Sequence, residues 1–227
     1  MKYILGILLT FVSLGAFAAG EPTDSVEPFN AVRAFRQMPS ATLDLLTPSM
    51  RLDLVDYYRA DSIYRVQNAL EGLSYLHRPL TDSYLKVQIT PVTTLTIRIL
   101  PAKRGRPIAA TVYTIGDSLQ SADSDLRFYD ERMTELKRSK FIPDTRVEDF
   151  FNFGKMKREE RKQLLDLVPF PTVEFTLSPD STDLTATLTA EGFLSKEAYD
   201  RLKPYLIPTR TYRWNGGKYR LVHHDAL

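Results

Sequence analysis

Asp44, Asp53 and Asp56 crowd one stretch of the chain together with Arg51 and Arg59. Asp53 and Asp56 stand three residues apart, the spacing that puts two side chains on one face of a helix. Two carboxylates held together can do acid–base work when burial or mutual repulsion raises one pKa. The same residues, set opposite a face of Leu, Met and Tyr, also read as the solvated side of an ordinary amphipathic helix. Arg51, Asp53 and Asp56 are therefore candidate binding residues, and a carboxylate-dependent hydrolase is the alternative function they would support. Near the C-terminus, Tyr212 and Trp214 alternate in a strand pattern and so share a face. With Tyr219 across a turn they form either an aromatic binding platform or the packing of a terminal hairpin.

Other chemistry is thinly provided for. The chain has no Cys and only three His, His77 alone and His223 beside His224. That excludes a thiol nucleophile and a disulfide framework, and it argues against a zinc site, which needs several converging donors. Asp117, Asp123 and Asp125 could gather around Ca²⁺, but they lack the Gly-centred spacing of an EF-hand and read as turn residues. Lys103-Arg104-Gly105-Arg106-Pro107 places three cations on a short connection that could grip an anionic surface, or serve simply as an exposed hairpin loop. G-x-S-x-G, Walker A and G-x-G-x-x-G patterns do not occur. No catalytic residue, metal ligand or cofactor site is assigned.

Met1-Lys2-Tyr3, the apolar Ile4 to Leu14 and Ala16-Phe17-Ala18 have the form of a secretory signal cleaved after Ala18, and the apolar run is too short to span a membrane. Residues 19–28 read as a linker. Removing residues 1–18 takes away only Lys2 among the charges, so 29 Lys and Arg face 28 Asp and Glu in the mature chain. Such a balance sets up no global field for nucleic acid or anionic lipid. A periplasmic or secreted soluble protein is expected, with no lipid anchor and no membrane span. Its partner is expected to be a protein or envelope component.

The elements that must position these residues follow from periodicity. The whole chain is 227 residues, 43% hydrophobic and 26% charged, a folded composition. Phe29 to Met38 has helical spacing and stops at Pro39. A further helical run starts near Ser40. Thr47-Pro48 then predicts an N-cap and first helical residue for a helix to about Ala60, with Leu46, Met50, Leu54, Tyr58 and Val55 on its core face. Residues 61–78 predict another short helix through Ile63, Val66 and Leu70. Strands are expected at 84–89, 94–100, 108–115 and 126–129, where apolar and polar residues alternate. A helical run at 147–168, broken near Gly154, precedes strands at 173–177 and 184–188, a short helix at 195–206, and a hairpin of 211–214 with 218–222. Leu52-Asp53-Leu54-Val55 and Leu165-Asp166-Leu167-Val168 are identical. The expected fold class is α+β, helices packed on antiparallel sheets, in two tandem helix-then-sheet units at 29–140 and 141–227.

Phe35-Arg36-Gln37-Met38-Pro39, Leu45-Leu46-Thr47, Arg51 to Tyr58, Leu80 to Leu85, Asp123-Ser124-Asp125 and Tyr212 to Gly216 together resemble a family of secreted Bacteroidetes proteins of unknown function. The resemblance spans nearly the whole mature chain and implies export, a Gram-negative host and an α+β fold. It implies no activity. The function expected from the sequence is a non-enzymatic binding or envelope assembly module.

Overall fold

The structure, a computed structural model, describes residues 28–61, 65–117 and 121–222. The expected signal segment 1–18, Ile63, His223 and His224 lie outside the described residues. Asn30 opens α1 (Ala31–Gln37), its side-chain oxygen accepting from Arg33 N at 2.7 Å. The helix buries Ala31, Val32, Ala34 and Phe35 and ends at Met38-Pro39. Thr47 caps α2 (Pro48–Arg59) by accepting from Met50 N at 3.3 Å, and Pro48 sits where a missing N–H costs nothing. Leu54 and Val55 face inward, while Leu52, Asp53, Asp56 and Tyr57 face water.

The helical run expected from Ser40 is instead a series of turns, closed by Thr42 N to Pro39 O at 2.9 Å and Leu46 N to Leu43 O at 3.3 Å. The reason is Arg51. Its side chain is fully buried and donates from Nε to Leu46 O at 2.8 Å, from Nη2 to Leu43 O at 3.1 Å and from Nη1 to Met38 O. Those carbonyls can converge on one guanidinium only if the chain between α1 and α2 wraps around it. Continuous helix would turn them into its own ladder.

Residues 66–136 then form one meander of seven antiparallel strands in chain order. They are β1 (Val66–Gln67), β2 (Leu73–Leu76), β3 (Tyr84–Thr90), β4 (Thr93–Leu100), β5 (Ile108–Asp117), β6 (Ser121–Tyr129) and β7 (Glu135–Leu136). The first two correct the expected helix at 61–78. Val66 and Leu70 do have helical spacing, but Asn68 overrides it. Its Oδ1 accepts from Leu70 N at 2.9 Å and Gly72 N at 3.1 Å, while Nδ2 donates to Ile89 O at 2.6 Å and Ser74 Oγ at 3.1 Å. A buried Asn that satisfies a turn on one side and β3 on the other fixes a hairpin there. The strand expected at 126–129 begins five residues earlier, at Ser121.

The second sheet has the order β11-β10-β9-β8, built from β8 (Val173–Leu177), β9 (Leu184–Leu188), β10 (Thr209–Trp214) and β11 (Tyr219–Leu221). The expected helical run at 147–168 is divided into a 3₁₀ turn, Val147–Phe150, and α3 (Arg158–Leu165). Between them Phe151 bridges to Leu206 and Asn152 N donates to Tyr205 O at 2.7 Å, so the backbone there is committed to a neighbouring segment. A last helix, α4 (Lys196–Leu202), is capped by Ser195. The two Leu-Asp-Leu-Val tetrapeptides lie in different local structure, the first inside α2 and the second running off the end of α3.

The layers stack as helices, first sheet, second sheet. Leu85, Val87, Ile89, Leu95, Ile97 and Ile99 form one core with Phe35, Leu54 and Val55. Leu100, Ala110, Val112, Leu126 and Phe128, on the opposite face of the same sheet, form another core with Phe175, Leu177, Leu184 and Ala186. β4 is therefore buried on both faces. Each buried Leu, Ile, Val or Phe side chain among them contributes about 1.5–3 kcal/mol on leaving water.

Arg51→Met keeps the length of the side chain and orphans three carbonyls. Urea denaturation should register a loss of about 3 kcal/mol or more, with Arg51→Lys falling between it and the parent. A loss under about 1 kcal/mol would mean those carbonyls find other partners.

Candidate functional site

The α2 residues separate into two groups. Arg51 lies on the same stripe as Leu54 and Val55 and is sealed in the core, where desolvation holds its pKa below the usual guanidinium value. It is a structural cation, inaccessible to a ligand, which corrects its place among the binding candidates. Asp53 and Asp56 do share the exposed face, yet neither carboxylate is buried. Asp56 sits 3.6 Å from Arg36 in a solvent-facing ion pair. Both carboxylates are in water, which screens their interaction with each other and with Arg36.

Tyr212 and Trp214 are 4% and 7% exposed, which decides between platform and packing. Both point between the sheets. Trp214 Nε1 donates to Pro101 O at 2.6 Å, and its ring meets Tyr219 edge-on with centroids 5.2 Å apart. Phe141 and Phe128 extend the cluster, their centroids 4.8 Å apart. The aromatic platform is therefore part of the core and presents no ring face to solvent.

A buried polar pair accompanies it. Arg98 on β4 and Tyr219 on β11 come together between the sheets, and Arg98 Nη1 donates to Pro179 O at 3.0 Å. The Tyr219 hydroxyl makes no hydrogen bond among the described residues, nor does Arg98 Nε. Burial pushes the Tyr219 phenol well above its ordinary range, with Arg98 opposing the shift, and it pushes Tyr212 and Tyr84 upward as well.

The acidic residues of the middle segment also find structural roles. Asp123 and Asp125 stand on β6, not in a turn. Asp123 Oδ1 accepts from Val173 N at 3.2 Å, and Asp125 pairs with Arg127 at 2.6 Å. Among the described residues no group of three or more His, Cys, Asp or Glu is placed to hold a metal ion. Of the basic loop, Lys103 and Arg104 are exposed and Arg106 pairs with Glu131.

Three further places lie outside the residues that sequence pattern singles out. A 440 Å³ pocket at the end of α2 is lined by Tyr58, Arg59, Asp61, Arg78 and Asp82, with Arg78 both paired to Asp61 and 5.5 Å from the Tyr58 ring. Its charged side chains are largely in water, which screens them. Phe170 and Phe193 form an edge-on pair with centroids 5.3 Å apart, exposed by 59% and 46%. The Pro-Phe-Pro sequence at 169–171 carried the clue, because prolines keep an aromatic side chain on a stiff connection outside the strands. The third is a cation-lined groove beside β11.

The profile of a family described as "Protein of unknown function (DUF3256)" matches residues 24–219. The chain belongs to the DUF3256 family. A solved domain of an uncharacterized protein from Porphyromonas gingivalis W83 matches with a TM-score of 0.72 at 24% identity, over 85% of this chain and 98% of that one. That likeness shows the fold. No curated protein matches the chain. Among the described residues, no helix of this DUF3256 protein is long and apolar enough to cross a membrane.

Asp53→Asn with Asp56→Asn should change unfolding free energy by less than about 0.5 kcal/mol, as measured by urea titration. A loss above about 1 kcal/mol would mean the pair is anchored in a way its exposure does not reveal. Tyr219→Phe removes a buried hydroxyl that has no hydrogen-bond partner among the described residues, so it should be neutral or stabilising at neutral pH. Its raised folded pKa works in one direction. Below the unfolded value near pH 10 the phenol is neutral in both states and stability does not depend on it; as pH climbs toward the higher folded value the unfolded chain ionises first and stability falls. Thermal melts from neutral pH upward should therefore fall less steeply above about pH 10 for the Phe variant, and parallel curves would contradict the assignment.

Proposed function

We propose that this DUF3256 protein is an exported, non-enzymatic binding or envelope assembly module whose partner is a protein or another envelope component. The Lys2, Ile4 to Leu14, Ala16-Phe17-Ala18 series supports export. The observation that carries the binding reading is the pair Phe170 and Phe193. Two large rings left in water cost roughly 25 cal/mol per Å² of apolar surface, and a partner that covers them recovers it.

The loops holding the rings are braced. Thr189 N donates to Thr172 O at 3.0 Å, the Thr189 and Thr172 hydroxyls are 3.0 Å apart, and Thr189 Oγ1 also donates to Ala122 O on β6. Ser121 Oγ donates to Thr189 O at 3.2 Å. Rings fixed in this way lose little further entropy on binding, which is how a small aromatic patch becomes an anchor. The proposal treats 29–140 and 141–227 as two helix-then-sheet units. It is supported by the drawing of the first sheet from residues 66–136 and the second from 173–221.

The test is cross-linking in the native envelope with the parent and with Phe170→Ala plus Phe193→Ala. Both proteins should melt at nearly the same temperature, since the rings are exposed, and the double variant should lose the cross-linked partner. Unchanged cross-linking by a folded double variant would remove the aromatic pair from the contact and leave the binding reading without its support.

A further inference from the structure

The groove beside β11 is lined by Lys140, Phe141, Lys218, Tyr219, Arg220 and Leu221, has a volume of about 460 Å³, and contains no carboxylate in its lining. In a chain whose charges nearly cancel, three cations in a groove whose lining holds no carboxylate are a local imbalance. Lys140, Lys218 and Arg220 are exposed, and none makes an ion pair among the described residues. Lys103 extends the imbalance, because its N–H donates to Gly216 O at 2.9 Å and brings the basic β4–β5 loop against the β10–β11 turn. Gly216, at φ +88°, permits this approach, since a Cβ there would stand 2.4 Å from Lys103 Cγ.

The floor of the groove is an incomplete sheet edge. β11 pairs with β10 through Arg213 opposite Arg220, with Asn215 N to Lys218 O at 3.1 Å and Val222 N to Thr211 O at 2.8 Å on either side. Antiparallel alternation then turns the backbone groups of Tyr219 and Leu221 away from β10. Tyr219 N meets Phe141 O at 2.7 Å, while the N–H and C=O of Leu221 have no such cover among the described residues.

We propose that this groove is a docking site for an acidic peptide segment of a partner, added along β11 as an extended strand. The main chain of Leu221 would supply ladder hydrogen bonds, and Lys140, Lys218 and Arg220 would meet alternate acidic side chains. The proposal rests on the reading of the protein as a binding module but uses the opposite edge of the second sheet from Phe170 and Phe193, so the two surfaces can be tested apart.

The full chain is titrated, by fluorescence anisotropy, with a labelled peptide of alternating Glu and Val. Four further probes are its Gln-Val counterpart, a Glu-Val peptide N-methylated at alternate residues, labelled single-stranded DNA and anionic vesicles. Saturable binding of the Glu-Val peptide is expected, weakened about tenfold or more by Lys140→Glu plus Arg220→Glu, by the Gln-Val exchange, and by N-methylation. Both substitutions are at exposed positions, and melting curves confirm that the variant is folded. No binding, equal binding of the Gln-Val or N-methylated peptide, or tighter binding of DNA or vesicles than of the peptide would each overturn the proposal. Should the peptide fail while cross-linking through Phe170 and Phe193 persists, the binding module stands and this groove is withdrawn. Loss of the cross-link with retained peptide binding withdraws the aromatic contact instead.

Discussion

The guanidinium of Arg51 is the interaction on which the helical layer depends. It is a buried cation with three main-chain carbonyls for partners and no carboxylate among them. Leaving water is costly for any ion, and Arg tolerates it better than Lys because its charge is delocalised and its donors fan out in a fixed plane. Here that plane selects the backbone path. Met38 O belongs to the end of α1, where helical carbonyls lack partners, and Leu43 and Leu46 lie in the turns beyond. Pinning those two residues by their carbonyls sends their side chains into the core, where they are 1% and 0% exposed. A polar contact thereby fixes apolar packing, and α1 and α2 are held at one setting over the first sheet.

The first sheet needs that layer, and needs the second sheet equally. Antiparallel sheets often keep one wet face, with alternation to match. β4 departs from this, burying Leu95, Ile97 and Ile99 toward the helices and Thr96, Arg98 and Leu100 toward the second sheet. Its polar residues mark the side that was harder to fill. Arg98 reaches Pro179 O at the β8–β9 turn, so a polar residue ties the sheets at their margin while Phe128, Phe175 and Trp214 fill the middle. Removing either covering layer would expose one complete face of β4, which is why the stack behaves as one structure in this region.

Much of this was legible in the sequence, and the exceptions share a cause. Alternation of apolar and polar residues located β3, β4, β5, β8 and β9 closely, because successive side chains of a strand point to opposite faces. The Thr47-Pro48 start of α2 was equally plain. Asn68 was not, since its turn draws on Ser74 and Ile89, partners that become visible only once the chain is folded. Arg51 was misread for a related reason. Its position is three and four residues before Leu54 and Val55, on the buried stripe, but a charged residue amid aspartates suggests the solvated side. Tyr212 and Trp214 were correctly placed on one face of one strand, and periodicity cannot say whether that face is covered. The 121–125 stretch looked like a turn because Asp and Ser dominate it, yet register with β5 carries the strand through them.

The stack also dictates where contact with other molecules can occur. Helices cover one face of the first sheet and the second sheet covers the other, which leaves the margins of the second sheet among the surfaces open to contact. The two margins differ. Near β8 the exposed groups are aromatic and braced; along β11 they are cationic and border an open backbone edge. An uncovered edge strand invites pairing with its own kind, and charges placed beside it are the common defence. Lys218 and Arg220 serve that purpose, because a second β11 brought alongside would set cation against cation in a groove without a carboxylate. The same charges that repel an identical strand attract one of opposite sign, so protection from self-association and selection of an acidic partner follow from a single arrangement.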